Sequence, residues 1–163
     1  SQKPELSFAN QGVVLGQARL TGSLDLVDID GQAITVTDYK TGKPSTSWTG
    51  KSDYEKIKLH KYRQQLMFYQ LLVESSREYG NFTFTGARLQ FVEPDINTGD
   101  ILSLEDTFSE EALAEFARLV GIVWRKITTL ELPDISGYSA DYKGMVQFEE
   151  DLLNGAVQQR PNA

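Results

Sequence analysis

The sequence predicts an α/β fold, a mixed central β-sheet flanked by helices, and three observations carry that prediction. Residues 21–40 alternate like two strands joined by Asp30-Gly31, a strong two-residue hairpin signal because Gly tolerates positive φ. A helical pattern follows over 53–79, opened by the capping box Ser52-Asp-Tyr-Glu55 and stopped at Gly80. A second strand pair, 82–93 and 101–107, then precedes another helix. Strands, long helix, hairpin, helix is the order of a mixed sheet with helices on its faces rather than of a regular βαβ series.

Residues 4–20 read as strand material interrupted by a turn at Asn10-Gln11-Gly12. If Asp30 and Gly31 form the hairpin loop, cross-strand partners sum to 61, so Asp25 faces Val36 and Ser23 faces Asp38. Asp25 and Asp38 then lie diagonally on one sheet face, roughly 7 to 8 Å apart. Lys40 points the same way, and the rest of that face is Val27, Ile29, Ile34 and Val36. Two carboxylates and an ammonium at the end of an apolar face need partners or a metal. A structural ion pair accounts for Lys40 and one Asp only.

The loop 41–52 is rich in turn formers, and Trp48 within it anchors the loop to the core in preference to stacking on a ligand. On the long helix, Leu59, Tyr62, Leu66, Tyr69 and Val73 recur at spacings of three and four and form the buried face. Lys58, Lys61, Gln65 and Tyr69 form a neighbouring stripe along its rim. His60 reads as an ordinary helix-surface residue. Asp95-Ile-Asn-Thr-Gly-Asp100 is a turn, Thr107 to Glu111 caps a second helix running to about Thr129, and a short helix follows near 145–153. Residues 1–155 are expected to form a single domain and 156–163 a flexible tail.

Composition narrows the chemistry. The 163 residues contain no Cys and one His, which excludes thiolate metal sites and a cysteine-ligated iron–sulfur cluster and disfavours a His-built zinc site or triad. A metal here needs oxygen ligands, as Mg²⁺, Mn²⁺ and Ca²⁺ do. No apolar run is long enough to span a membrane and no signal-peptide pattern is present, so a cytoplasmic protein without a membrane partner is expected. The net charge is −7, yet residues 1–70 carry 9 basic and 7 acidic side chains against 7 and 16 in 71–163. Seven basic residues fall within 40–63, a local bias that suits an anionic ligand. Thr41-Gly42-Lys43 lacks the remainder of a phosphate-binding glycine loop.

Two carboxylates and a Lys in hairpin geometry suit metal-assisted phosphodiester cleavage: the carboxylates hold the ion, and the Lys orients or deprotonates water and steadies developing charge. Gly22-Ser-Leu-Asp25 followed by Asp38-Tyr-Lys40-Thr-Gly42 resembles the PD-(D/E)xK nucleases, whose fold is restriction-endonuclease-like. The branch most similar is the RecB-like nuclease domain at the C-terminus of UvrD/RecB-type helicases. That branch carries Gln-x-x-x-Tyr on the helix after the Lys, matched by Gln65 to Tyr69, and Glu-x-x-Phe ahead of the first Asp, matched by Glu5 to Phe8. The resemblance spans about residues 5–70.

It implies that Asp25 and Asp38 bind Mg²⁺ or Mn²⁺, aided by the Tyr39 backbone carbonyl and by Glu5, and that Lys40 is catalytic with both Asp residues. Gln65 and Tyr69 would contact DNA or support the site, and Lys58, Lys61 and Arg63 extend the DNA contact. The resemblance implies single-stranded DNA as substrate, helicase domains of the same parent polypeptide as partners, nuclease action in recombination or repair, with exonuclease and endonuclease both open, and ATP only in the helicase portion. Family members usually have a helix before the Glu, and only Ser1 to Pro4 precede Glu5, so the expected fold lacks its first helix, as in a fragment of a larger helicase-nuclease. Two other readings stand beside this one. The first is a catalytically inactive nuclease-like domain for DNA binding or scaffolding within a helicase, and the second is a protein-interaction module with a buried ion pair at the hairpin.

Overall fold

The computed structural model describes residues 1–158. Its five-stranded sheet has the order β1-β4-β5-β6-β7, where β1 is Gln2–Ser7, β4 Ser23–Asp30, β5 Ala33–Lys40, β6 Thr83–Phe91 and β7 Ser103–Asp106. Only β5 and β6 run parallel; the other neighbours are antiparallel. A small hairpin of β2 (Val14–Leu15) and β3 (Ala18–Arg19) stands apart from the sheet. Helix α1 (Asp53–Glu74) makes the crossover between the two parallel strands, the connection such strands require. Helices α2 (Glu110–Thr129) and α3 (Tyr142–Asn154) pack on α1 and on each other. The opposite sheet face is polar: the Thr35 and Thr85 hydroxyls share a hydrogen bond, and Arg88 pairs with Glu105.

The hairpin register differs from expectation in an informative way. Asp30 pairs with Ala33 and Val27 with Val36, so partners sum to 63 and the loop is Gly31-Gln32. Gly31 has φ 58°, and glycine at the first loop position suits the hairpin turns that need positive φ there. The slip is two residues, an even number, so the side chains paired in the ladder keep their expected faces. Extended further, that register would set Asp25 opposite Asp38, but the ladder stops at Leu26–Thr37, and Asp25 is exposed while its neighbour Leu24 is buried in the core.

Helix α1 begins as expected, with the Ser52 hydroxyl accepting the Glu55 N–H at 3.2 Å. It ends at Glu74, short of Gly80, because serines follow. Ser76 Oγ donates to Val73 O and accepts the Tyr79 N–H, replacing helical hydrogen bonds with side-chain ones. Leu59, Leu66, Tyr69 and Val73 are buried against the sheet with Ile34, Val36, Ala87, Leu89 and Phe91. Gly22 permits this contact: a Cβ there would lie 2.9 Å from Leu72 Cδ1, and Leu72 is fully buried. Trp48 anchors its loop, its indole N–H donating to Glu105 O at 2.9 Å.

Helix α2 keeps its expected bounds and helix α3 does not. Helix α2 is capped by Ser109, whose Oγ accepts the Ala112 N–H. Helix α3 starts at Tyr142, earlier than expected, because Asp141 accepts the Gly144 N–H and caps it. His60 is half-buried rather than a plain surface residue; its Nε2 lies 2.8 Å from Glu149 Oε2 and ties α1 to α3. Of the tail expected at 156–163, residues 159–163 lie outside the described residues.

Candidate active site

The site forms where β4 and β5 part. The paired ladder ends at Leu26–Thr37, and beyond it the Tyr39 N–H donates to Asp25 Oδ2 at 2.9 Å, so a carboxylate stands where a strand carbonyl would otherwise accept. Asp25 is exposed, whereas Asp38 is only 2 % exposed and lies beneath α1. A buried carboxylate requires compensating donors. Helix α1 supplies them: the Tyr69 hydroxyl donates to Asp38 Oδ1 at 2.8 Å and Gln65 Nε2 donates to the same oxygen at 3.1 Å. Gln65 Nε2 also lies 2.5 Å from the Tyr69 oxygen, and these residues meet because they are one helical turn apart.

Lys40 closes the ring. Its Nζ donates to Gln65 Oε1 at 2.6 Å, lies 2.8 Å from Asp38 Oδ2, and sits 4.5 Å from the centroid of the Tyr62 ring. Gln65 therefore bridges the carboxylate and the ammonium, one amide group addressing each. The contact between Nζ and Oδ2 is one of charge only, since Oδ2 is buried with no aligned hydrogen-bond partner. Burial pushes the Tyr69 phenol well above its ordinary range, reinforced by the adjacent Asp38 charge. The Tyr62 hydroxyl is also raised, first by burial and then by Tyr54 and Asp38.

Not every expected residue joins this group. Glu5 lies across from Asp25 in the β1–β4 register, where partners sum to 30, but it adopts φ 49° and its side chain is exposed. Arg63 is on another face of α1: its Nε pairs with Asp106 Oδ2 at 2.6 Å and its guanidinium lies over Phe108. Lys58 follows the stripe of Gln65, whereas Lys61 is exposed and borders an apolar cleft near Phe68. Two site residues escaped sequence reasoning. Tyr62, assigned only to packing, lies three residues before Gln65 and so reaches Lys40. Glu93 accepts the Gly42 N–H at 2.9 Å and holds the loop after Lys40 against the end of β6, a contact no local pattern signals.

Among the described residues no three His, Cys, Asp or Glu side chains converge as a ready-made metal cluster. The donors still fit a hard divalent cation. Asp25 accepts the Tyr39 N–H, the Tyr39 carbonyl follows Asp38 directly in sequence, and Asp38 Oδ2 is a buried acceptor without a hydrogen bond. An all-oxygen set of this kind suits Mg²⁺ or Mn²⁺.

A scan of protein families matches residues 2–142 to the PD-(D/E)XK nuclease superfamily. The chain belongs to that superfamily, and its mixed sheet and helices agree with the restriction-endonuclease-like fold. Searches of curated proteins and of solved structures returned no match. Among the described residues no helix is long and apolar enough to cross a membrane.

Proposed function

We propose that this chain is a divalent-metal-dependent deoxyribonuclease domain that hydrolyses phosphodiester bonds in single-stranded DNA as part of a larger helicase-nuclease of recombination or repair. The observation that carries the proposal is the arrangement at Asp38. A buried carboxylate has one oxygen saturated by Tyr69 and Gln65 and the other left without a hydrogen bond beside Lys40, and the next residue, Tyr39, donates its N–H to Asp25. A purely structural ion pair does not call for Asp25 in that position.

Asp25, Asp38 and the Tyr39 carbonyl would hold Mg²⁺ or Mn²⁺, which when bound neutralises phosphoryl charge and lowers the pKa of coordinated water. Gln65 and Tyr69 fix the Asp38 carboxylate so that Oδ2, beside the Lys40 ammonium, keeps one direction. Gln65 and the Tyr62 ring hold the Lys40 ammonium next to that oxygen, where it can donate to a phosphate oxygen as negative charge builds. Lys58 and Lys61 would steer the DNA backbone toward the site. Residues 1–155 act as one domain in this reading.

The test is cleavage of plasmid and oligonucleotide DNA with and without Mn²⁺ by the wild type, Lys40→Ala and Asp38→Ala. Metal-dependent cleavage lost in both variants is expected, and full activity in either variant sinks the mechanism. The second reading, a nuclease-like domain that binds DNA without turnover, is favoured by the dispersal of Glu5 from the carboxylate pair. Salt-sensitive, metal-independent DNA binding without cleavage would establish it.

A further inference from the structure

Helix α1 does more than seat Gln65 and Tyr69. Its first two turns carry Tyr54, Lys58 and Tyr62 at intervals of four, on the same face as the site residues further along. The inner end of this ladder is fixed, because the Tyr62 ring lies under the Lys40 ammonium. The outer end is free: Tyr54 is 77 % exposed and makes no hydrogen bond or ring contact among the described residues.

A single exposed tyrosine would need no explanation. Here it is the outermost rung of an aromatic–basic–aromatic series that ends at the catalytic Lys. Eight residues at 1.5 Å rise set Tyr54 about 12 Å along the helix from Tyr62. Aromatic rings interleaved with cations are the means by which proteins hold single strands: bases stack on the rings while Lys meets the phosphates. A duplex keeps its bases stacked on one another and offers no free face to such a ring. Tyr39, whose side chain points to the opposite sheet face, cannot serve in its place.

We infer that Tyr54 is a base-stacking platform that, with Lys58, holds a single-stranded stretch of nucleic acid a few nucleotides from the phosphate presented to Lys40. The inference rests on the nuclease reading for the location of the scissile phosphate, but the stacking itself does not require turnover.

Fluorescence anisotropy with a labelled oligothymidylate in Ca²⁺ tests it, comparing wild type, Tyr54→Phe and Tyr54→Ala, with a duplex of equal length in parallel. Because Tyr54 is exposed, both variants are expected to melt with the wild type. Tyr54→Ala should weaken single-strand binding roughly 10-fold, in the range measured for loss of one base–aromatic stack, while Tyr54→Phe retains affinity. Duplex affinity should not move. Equal single-strand affinity in wild type and Tyr54→Ala overturns the inference, as does an equal loss on duplex. Cleavage of the same oligonucleotide in Mn²⁺ separates the two proposals. Cleavage that is indifferent to Tyr54 refutes the platform and leaves the nuclease intact. Tyr54-dependent binding with no cleavage supports the platform and removes the nuclease.

Discussion

Tyr69→Phe isolates the contact that most firmly joins α1 to the carboxylate on β5. The substitution keeps the ring in the core and removes one oxygen, which donates to Asp38 Oδ1 at 2.8 Å and receives Gln65 Nε2 at 2.5 Å. Asp38 is then left with Gln65 on Oδ1 and Lys40 beside Oδ2, too few partners for a carboxylate 2 % exposed. A hydrogen bond to a charged group contributes about 1.5 to 3 kcal/mol. At about 2 to 4 °C per kcal/mol for a chain of this size, the melting temperature should fall by about 3 to 12 °C at pH 7.5. The pH dependence supplies a second check. The folded phenol titrates above its ordinary value of about 10, first because it is buried and then because of Asp38. A raised folded value stabilises the fold fully below the unfolded value, and that contribution is lost as pH climbs above about 10. The gap between wild type and Tyr69→Phe should therefore hold steady from pH 7 to 9 and close above about pH 10. Thermal melts across that range measure it. Equal melting temperatures at pH 7.5, or a gap that widens in alkali, would refute the account of the buried network.

Four further outcomes follow from neighbouring geometry. Gly22→Ala puts a methyl 2.9 Å from the fully buried Leu72 Cδ1 and should cost about 1 to 3 kcal/mol in urea denaturation, the usual range for overpacking. Mn²⁺ at 100 times its dissociation constant should stabilise the wild type by about 2.7 kcal/mol. Asp25→Asn should abolish that gain while still accepting the Tyr39 N–H and melting normally without metal; a metal shift unchanged in Asp25→Asn excludes Asp25 as a ligand. Arg63→Ala should lower stability by about 1 kcal/mol, since the Arg63 side chain of its pair with Asp106 is itself half exposed, and leave DNA affinity unchanged. Lys58→Ala should instead weaken DNA binding and reduce the salt slope by about 1, as measured in a salt titration.

The parts of the site legible in the sequence are those set by local periodicity. Alternation along β5 put Asp38 and Lys40 together, and the spacing of Gln65 and Tyr69 put them on one helical stripe; the contacts among these four are present in the structure, whereas Asp25 is exposed beyond the end of the ladder. Contacts made by long-range packing were not legible. Nothing around Arg63 announces that Asp106 will take it, nor around Glu93 that it will hold Gly42. Glu5 reads as an ordinary strand residue, and only its left-handed φ marks it as different.

What the amino-acid sequence determined by itself was parity and identity: which side chains share a face, that any metal must be held by oxygen, and that an ammonium stands beside two carboxylates. Tertiary structure decided distance. The hairpin turned about Gly31-Gln32 instead of Asp30-Gly31, and the ladder gave out before Asp25, which meets β5 through the Tyr39 N–H. Side-chain parity has period two and survives an even slip, whereas absolute register depends on turn geometry and on the packing of the finished sheet. The burial that strips Asp38 Oδ2 of water comes from α1 lying across β5, a contact that residues 25–40 cannot specify alone.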